Sequence, residues 1–268
     1  MKERVETELP PWLSCLISSL YSWLHPRRQG FFAFPISSSV AFFRGKDSQR
    51  LVPLEKGGEP KYFNILDSEY CDGDFDVEKG EIVLDVGAWV GKFTVRAALK
   101  VGEGGRVIAV EPHPTNLFFL KHNVSKLRNV TVVEEALWKR KGRMRLFLGP
   151  SSSEHSLVAG KGNQLSKPVG YCWVKTETLD GLVSRLGLER IDFLKMDVEG
   201  AELEILSRGR RALSITRKVA VAAYHLRKGK QTWPDVRRML EKHGFKTEVT
   251  ERHIVRGWRE YGRTPRFA

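Results

Sequence analysis

From Ile82 onward the chain alternates short apolar runs with stretches of helical periodicity, and few architectures tolerate that alternation. Strands covered on both faces read as near-continuous apolar segments, and helices must return the chain between them, so the pattern predicts a parallel, doubly wound α/β sheet. Strands are expected from Ile82 to Val86, Arg106 to Val110, Val130 to Glu134, Ile191 to Met196 and Lys218 to Ala223. Helices begin near Gly91, Pro114, Leu179 and Gly200, and a further helix runs from Trp233 to His243, where Gly244 stops it. Two more short strands follow, near Phe245 to Thr250 and His253 to Trp258.

A chain of 268 residues suffices for one large α/β domain. Residues 1–60 read as an N-terminal extension and 61–268 as the main domain. Apolar residues at Trp12, Leu13, Leu16, Ile17, Leu20 and Leu24 recur at helical spacing, with serines on another face, which predicts an amphipathic helix. It is too short for the roughly 18 residues of a membrane span, and acidic residues precede it, so neither a transmembrane segment nor a secretory signal is expected. Gly30 to Leu54 reads as a hairpin. Cys15, Cys71 and Cys172 are scattered singly, which implies neither disulfides nor a zinc site and makes a reducing, cytoplasmic setting the default.

The turn in VLDVGAWVGKFT, Val83 to Thr94, lets backbone approach a ligand closely at Gly87 and Gly91. Asp85 stands at the strand's carboxyl end, where it could anchor an amino group. Glu111 closes the second strand 20 residues beyond Gly91, where an acid can accept from ribose hydroxyls. That spacing also suits a dinucleotide. However, the turn lacks the third glycine of G-x-G-x-x-G and no P-loop occurs, so the expected nucleoside cofactor has no pyrophosphate. Glu135, after the third strand, is a candidate for an adenine amino group or simply an exposed strand-end acid.

In IDFLKMDVEGAELEIL, Ile191 to Leu206, an apolar strand ends in Asp197-Val198-Glu199-Gly200. Two carboxylates beside the cofactor turn are candidate catalytic groups, although Glu199 could instead cap the next helix. His225, just past the fifth strand, is a candidate general base or a structural histidine.

Together these segments resemble the FkbM family of S-adenosylmethionine-dependent methyltransferases. The resemblance is carried by Glu69-Tyr70, LDVGAWVGKFT, VIAVEPHPTN from Val107, KTETLDGL from Lys175 and IDFLKMDVEGAE, over roughly Tyr70 to Phe245. It implies a seven-stranded, doubly wound, mostly parallel sheet, S-adenosyl-L-methionine as cofactor, and methyl transfer to a hydroxyl oxygen. By position, Asp85, Gly87 and Gly91 fall on the cofactor loop, Glu111 on the ribose acid, and Asp197 with Glu199 on the catalytic-face motif. Trp89-Val90 departs from the small polar pair more common in the family, so Trp89 either stacks on the cofactor or substrate or packs beneath the loop. Tyr70, His155 and Lys228 are the candidate substrate contacts, and part of the substrate site is expected in the long insertion from Trp138 to Thr178, with its Ser- and Gly-rich stretch.

No metal is expected. DGDFDVEKG departs from a calcium loop at Val77 and Val83, and a cation on Asp197 and Glu199 has no evident third ligand in sequence. Net charge is +13, and from Arg208 to Ala268 there are 17 Lys or Arg against 5 Asp or Glu. That basic quarter is either a solvated surface or a face for RNA. Two substrate classes therefore stay open: a hydroxyl of a sugar, glycan or small metabolite, and RNA held through its phosphates. A scaffold that merely kept the pocket is the third reading.

Overall fold

The computed structural model describes residues 69–259 and, nearer the N-terminus, the backbone of three strands. The chain divides into two compact units, residues 1–66 and 67–268. In the first, β1 (Phe32–Ser37), β2 (Val40–Arg44) and β3 (Gln49–Pro53) form an antiparallel meander. The expected hairpin is thus extended by one strand, because β3 pairs with β2. The helix expected around Trp12 lies outside the described residues.

In the second unit, β4 (Ile82–Val86) leads into α1 (Lys92–Val101), β5 (Arg106–Val110), α2 (Pro114–Val124) and β6 (Val130–Val133). An insertion follows, with β7 (Ala136–Leu137), β8 (Gly142–Leu148) and β9 (Gly170–Glu177) forming a small sheet of order β7-β9-β8. Then come α3 (Leu179–Arg185), β10 (Ile191–Met196), α4 (Glu202–Leu206), α5 (Arg210–Ser214), β11 (Thr216–Ala222), the ribbon β12 (Leu226–Arg227) and β13 (Lys230–Gln231), α6 (Trp233–Lys242), β14 (Lys246–Val249) and β15 (Ile254–Trp258).

The main sheet has seven strands in the order β14-β15-β11-β10-β4-β5-β6, and β15 alone runs against the rest. Its inner strands β4, β5, β10 and β11 are largely buried because neighbouring residues serve opposite faces, both covered. Leu84 and Leu194 pack into the core under α3 to α6, whereas Val83 and Phe193 pack with Ala97 and Val101 of α1 on the other side. Expected and observed strand limits differ by one or two residues, where ladders fray.

The consequence for function is topological. The chain proceeds outward from β4 through β5 to β6, then returns to place β10 on the other side of β4. Connections leave β4 and β10 in opposite directions, and ligands in open α/β sheets bind in the crevice at such a switch point, beyond the strands' carboxyl ends.

Candidate active site

Two turns meet at the switch point. Asp197 N donates to Val86 O at 2.9 Å, and a Cβ on Gly87 would fall 1.7 Å from Asp197 O, so only glycine lets the turns approach this closely. Gly87 and Gly91 both take positive φ, 79° and 90°, which costs them little. Trp89 does the same at 50° with a bulky side chain, a strained conformation of the kind that concentrates at functional sites.

Beneath these turns, Asp85 is wholly buried. Its carboxylate accepts from Thr94 Oγ1 at 2.6 Å and pairs with Lys195 Nζ at 3.0 Å. Lys195 in turn donates to Gly87 O at 2.7 Å. Burial would push the Lys195 ammonium's pKa down, but Asp85 and Asp197 outweigh it and hold the pKa up. Asp85 thus holds the ammonium that ties the Gly87 turn to β10.

Glu111 closes β5. It accepts from the backbone N–H groups of Trp89 and His113, each at 2.9 Å, and from Asn116 Nδ2 at 3.3 Å. Burial nevertheless dominates and pushes its carboxyl up to about 7. Asn116 Oδ1 beside it is buried without a hydrogen-bond partner. Trp89 Nε1 reaches into the insertion and donates to Ser152 Oγ at 2.9 Å, while Asn116 Nδ2 donates to Ser152 O at 3.0 Å. The indole thus pins the insertion loop over the cofactor turn.

The third group centres on the turn after β10. Tyr70 donates its hydroxyl to Asp197 Oδ2 at 2.6 Å, and burial, then the Asp197 charge, raises the phenol's pKa so that it stays a donor. Glu199 takes φ 52°, which carries its carboxylate away from the helix start and toward His225. His225, from the end of β11, is wholly buried; its Nε2 lies 3.5 Å from Asp197 Oδ1 and 3.4 Å from Glu199 Oε2. Its Nδ1 lies 2.7 Å from Glu202 Oε1. Burial alone would lower the imidazole's pKa, but Glu202 and Glu199 overcome it and raise it well above 6.5. Both ring nitrogens face carboxylates. Burial pushes the Glu199 carboxyl up more than His225 pulls it back. Glu202 was missed in sequence, although its place three residues after Glu199 put it at the start of the following helix.

Not every candidate converges. Glu135 faces Arg185 across a two-pronged pair at 3.0 and 2.8 Å. Lys228 sits exposed at the tip of the β12–β13 ribbon and is not brought to the cluster; its neighbour Arg227 is, donating to Gly200 O and pairing with Glu204. His155 lies in the insertion loop, its ring 4.1 Å from that of His113, and Ser156 Oγ donates to Glu199 O at 2.6 Å. The insertion thus touches both turns. In the basic C-terminal quarter, Arg217, Lys218, Arg227, Arg237, Arg238, Arg252 and Arg256 each pair with a carboxylate, the pairs of Arg237, Arg238 and Arg252 on the exposed surface.

Residues 85–247 match the methyltransferase FkbM domain. Among curated proteins, the chain is 28% identical over 152 residues to the 2-O-methyltransferase NoeI of Sinorhizobium fredii, covering 51% of this chain and 60% of that protein. It is 27% identical over 180 residues to the hexuronic acid methyltransferase AglP of Haloferax volcanii, covering 66% of this chain and 68% of that one. A crystal structure of methyltransferase FkbM from Methylobacillus flagellatus KT shares the fold with a TM-score of 0.50 at 20% identity, over 70% of this chain and 46% of that one. The match therefore spans well under two thirds of the length of NoeI and of the solved chain. Among the described residues, no helix is long and apolar enough to cross a membrane.

Proposed function

Because the chain belongs to the FkbM methyltransferase family, we propose that it transfers a methyl group from S-adenosylmethionine to a hydroxyl oxygen of a sugar or similar polyol. The observation that carries the reading is the meeting of Asp197, Glu199 and His225 at the switch point, one turn away from Gly87. The residues present fit the cofactor. Glu111 uses three of about four acceptor positions on protein donors, and the unpartnered Asn116 Oδ1 adds another acceptor beside it, so ribose hydroxyls find partners there. The glycine turn leaves backbone open to a close approach.

S-adenosylmethionine supplies a methyl group on a positively charged sulfur. The protein's task is then to orient the acceptor oxygen and to take up its proton. Asp197 and Glu199 are the acceptors of that proton, Tyr70 holds the Asp197 carboxylate in place, and His225 positions both carboxylates from below. Trp89, His155 and the loop around Ser152 form the wall against which the acceptor is held. A sugar hydroxyl is favoured over RNA by the relatives NoeI and AglP, a 2-O-methyltransferase and a hexuronic acid methyltransferase, and Lys218, Arg227 and Arg256 of the basic quarter are engaged with carboxylates of the same domain.

The test is transfer of radiolabelled methyl from S-adenosylmethionine into cell extract separated into RNA, lipid, glycan and small-molecule fractions. Label in the glycan or small-molecule fraction is expected. Label in RNA, with activity falling steeply as salt is added, would establish the other acceptor. No incorporation together with no cofactor binding would overturn the reading.

A further inference from the structure

Asp197, Glu199 and His225 each present one ligand-type atom, and these atoms lie within 4.8 Å of one another. From this we infer that the cluster is a binding site for a divalent metal cation, which holds the acceptor's oxygen atoms in front of the cofactor turn. The inference rests on the proposed methyl transfer only for its purpose; the site itself stands on geometry.

Two buried atoms face each other in the cluster, 3.5 Å apart and without a hydrogen bond. His225 is closed to solvent, yet its Nε2 makes no hydrogen bond, and neither does Asp197 Oδ1. In a close-packed interior such groups are paired, and the exceptions mark strain, a catalytic role or a bound ion. Tyr70 occupies the other Asp197 oxygen, which leaves Oδ1 as the atom that faces Nε2. The separations of 3.5 and 3.4 Å are longer than good hydrogen bonds. They suit two ligands that each stand about 2.1 Å from one shared ion.

The shell behind the cluster has the matching form. Metal-bound histidines donate their second ring nitrogen to a carboxylate, which fixes the ring and raises its basicity. Here Glu202 Oε1 stands 2.7 Å from His225 Nδ1 and also accepts from Gly200 N at 3.0 Å, with the Glu202 side chain wholly buried. Charge argues the same way. Three carboxylates, Asp197, Glu199 and Glu202, surround one imidazole, and the nearest ammonium, Lys195, is already paired with Asp85. The side chains of Asp197 and Glu199 keep 23% and 15% of their exposure, so the cluster opens on one side. That is where an acceptor bearing two adjacent oxygens, a vicinal diol or a hydroxy acid, would complete the coordination. One imidazole with two carboxylates favours manganese, iron or zinc over magnesium and calcium, which prefer oxygen throughout.

The experiment titrates Mn²⁺ into chelator-stripped full-length protein and reads free Mn²⁺ by electron paramagnetic resonance. One ion per chain is expected. Asp197→Asn and Glu199→Gln should each weaken binding at least about tenfold, and Glu202→Gln, acting through the ring it positions, by about 10- to 100-fold. The exposed Glu241→Gln should change nothing. Crystals soaked in Mn²⁺ should show an anomalous peak among the three side chains, a readout that needs no variant to fold. No stoichiometric binding, or binding indifferent to all three substitutions, overturns the site. Binding of S-adenosylhomocysteine, followed separately by calorimetry, keeps the readings apart. Cofactor without metal defeats this inference alone, and metal without cofactor defeats the methyltransferase reading alone.

Discussion

His225 Nδ1 lies 2.7 Å from Glu202 Oε1, and both side chains are closed to water. Removing one partner of such a pair strands the other as an uncompensated buried charge, which costs about 3 to 5 kcal/mol. Glu202→Ala should therefore lower the unfolding free energy in urea by that amount. The comparison is Glu204→Ala, which breaks a pair with Arg227 that keeps about a fifth of its exposure and should cost about 1 kcal/mol or less. Equal losses from the two variants would mean that the buried pair is no more than an ordinary surface one.

Gly87 makes a sharper claim. A Cβ there must displace Asp197 O, whereas Gly80, with nearly the same φ, has nothing within 4 Å of the added atom. Gly80→Ala should cost only the left-handed backbone penalty of about 1 to 2 kcal/mol and leave cofactor affinity alone. Gly87→Ala should lose at least tenfold in S-adenosylhomocysteine affinity as well as stability. Calorimetric affinities for the two variants side by side decide whether the glycine serves the approach of the turns or only its own φ.

Those two turns also show what could and could not be read from sequence. Val83, Leu84, Phe193 and Leu194 announced buried strands because every position in them faces protein, and polar residues ending such runs were conspicuous for the same reason. Asp197 and Glu199 were found that way. The third member, His225, could be placed on the same sheet edge as Asp197, but how closely the two approach depends on the pairing of β11 with β10, which spacing does not encode. The pairing of Glu135 with Arg185, 50 residues away, was not legible for the same reason. Lys228 falls in the turn after β12 at φ 51°, exposed, whereas Arg227 before it reaches Gly200 O.

Glu111 ties cofactor binding to pH. Burial raises its carboxyl to about 7 from an ordinary 4.5, despite three hydrogen bonds and the Lys195 charge that favour ionisation. An acid with a raised folded pKa stabilises the fold most below 4.5, and that contribution is lost as pH rises through 7. Ribose hydroxyls donate to the ionised form, so affinity should be flat above pH 7 and fall by up to about tenfold per unit below it. Calorimetric titration of S-adenosylhomocysteine between pH 5.5 and 8.5, values chosen to span roughly the Glu111 range, gives the profile. Glu111→Gln should bind weakly with no slope in this window; a slope that survives the substitution would assign the proton elsewhere.

Trp89 separates cofactor binding from acceptor binding. Its backbone N–H supports Glu111, a contact any residue keeps, while its indole Nε1 donates to Ser152 Oγ in the insertion loop. Trp89→Phe preserves an aromatic ring and removes only the second contact, worth about 1 kcal/mol or roughly fivefold. If the loop is part of the acceptor wall, the loss is of binding shared by ground and transition states, so KM for the acceptor should rise about fivefold with kcat unchanged. Ser152→Ala should give the same shift, and the double variant no more than either alone, because both single changes delete one hydrogen bond. Additive effects, or a fall in kcat with KM unchanged, would instead mean that the indole acts on the reacting groups and not through the loop.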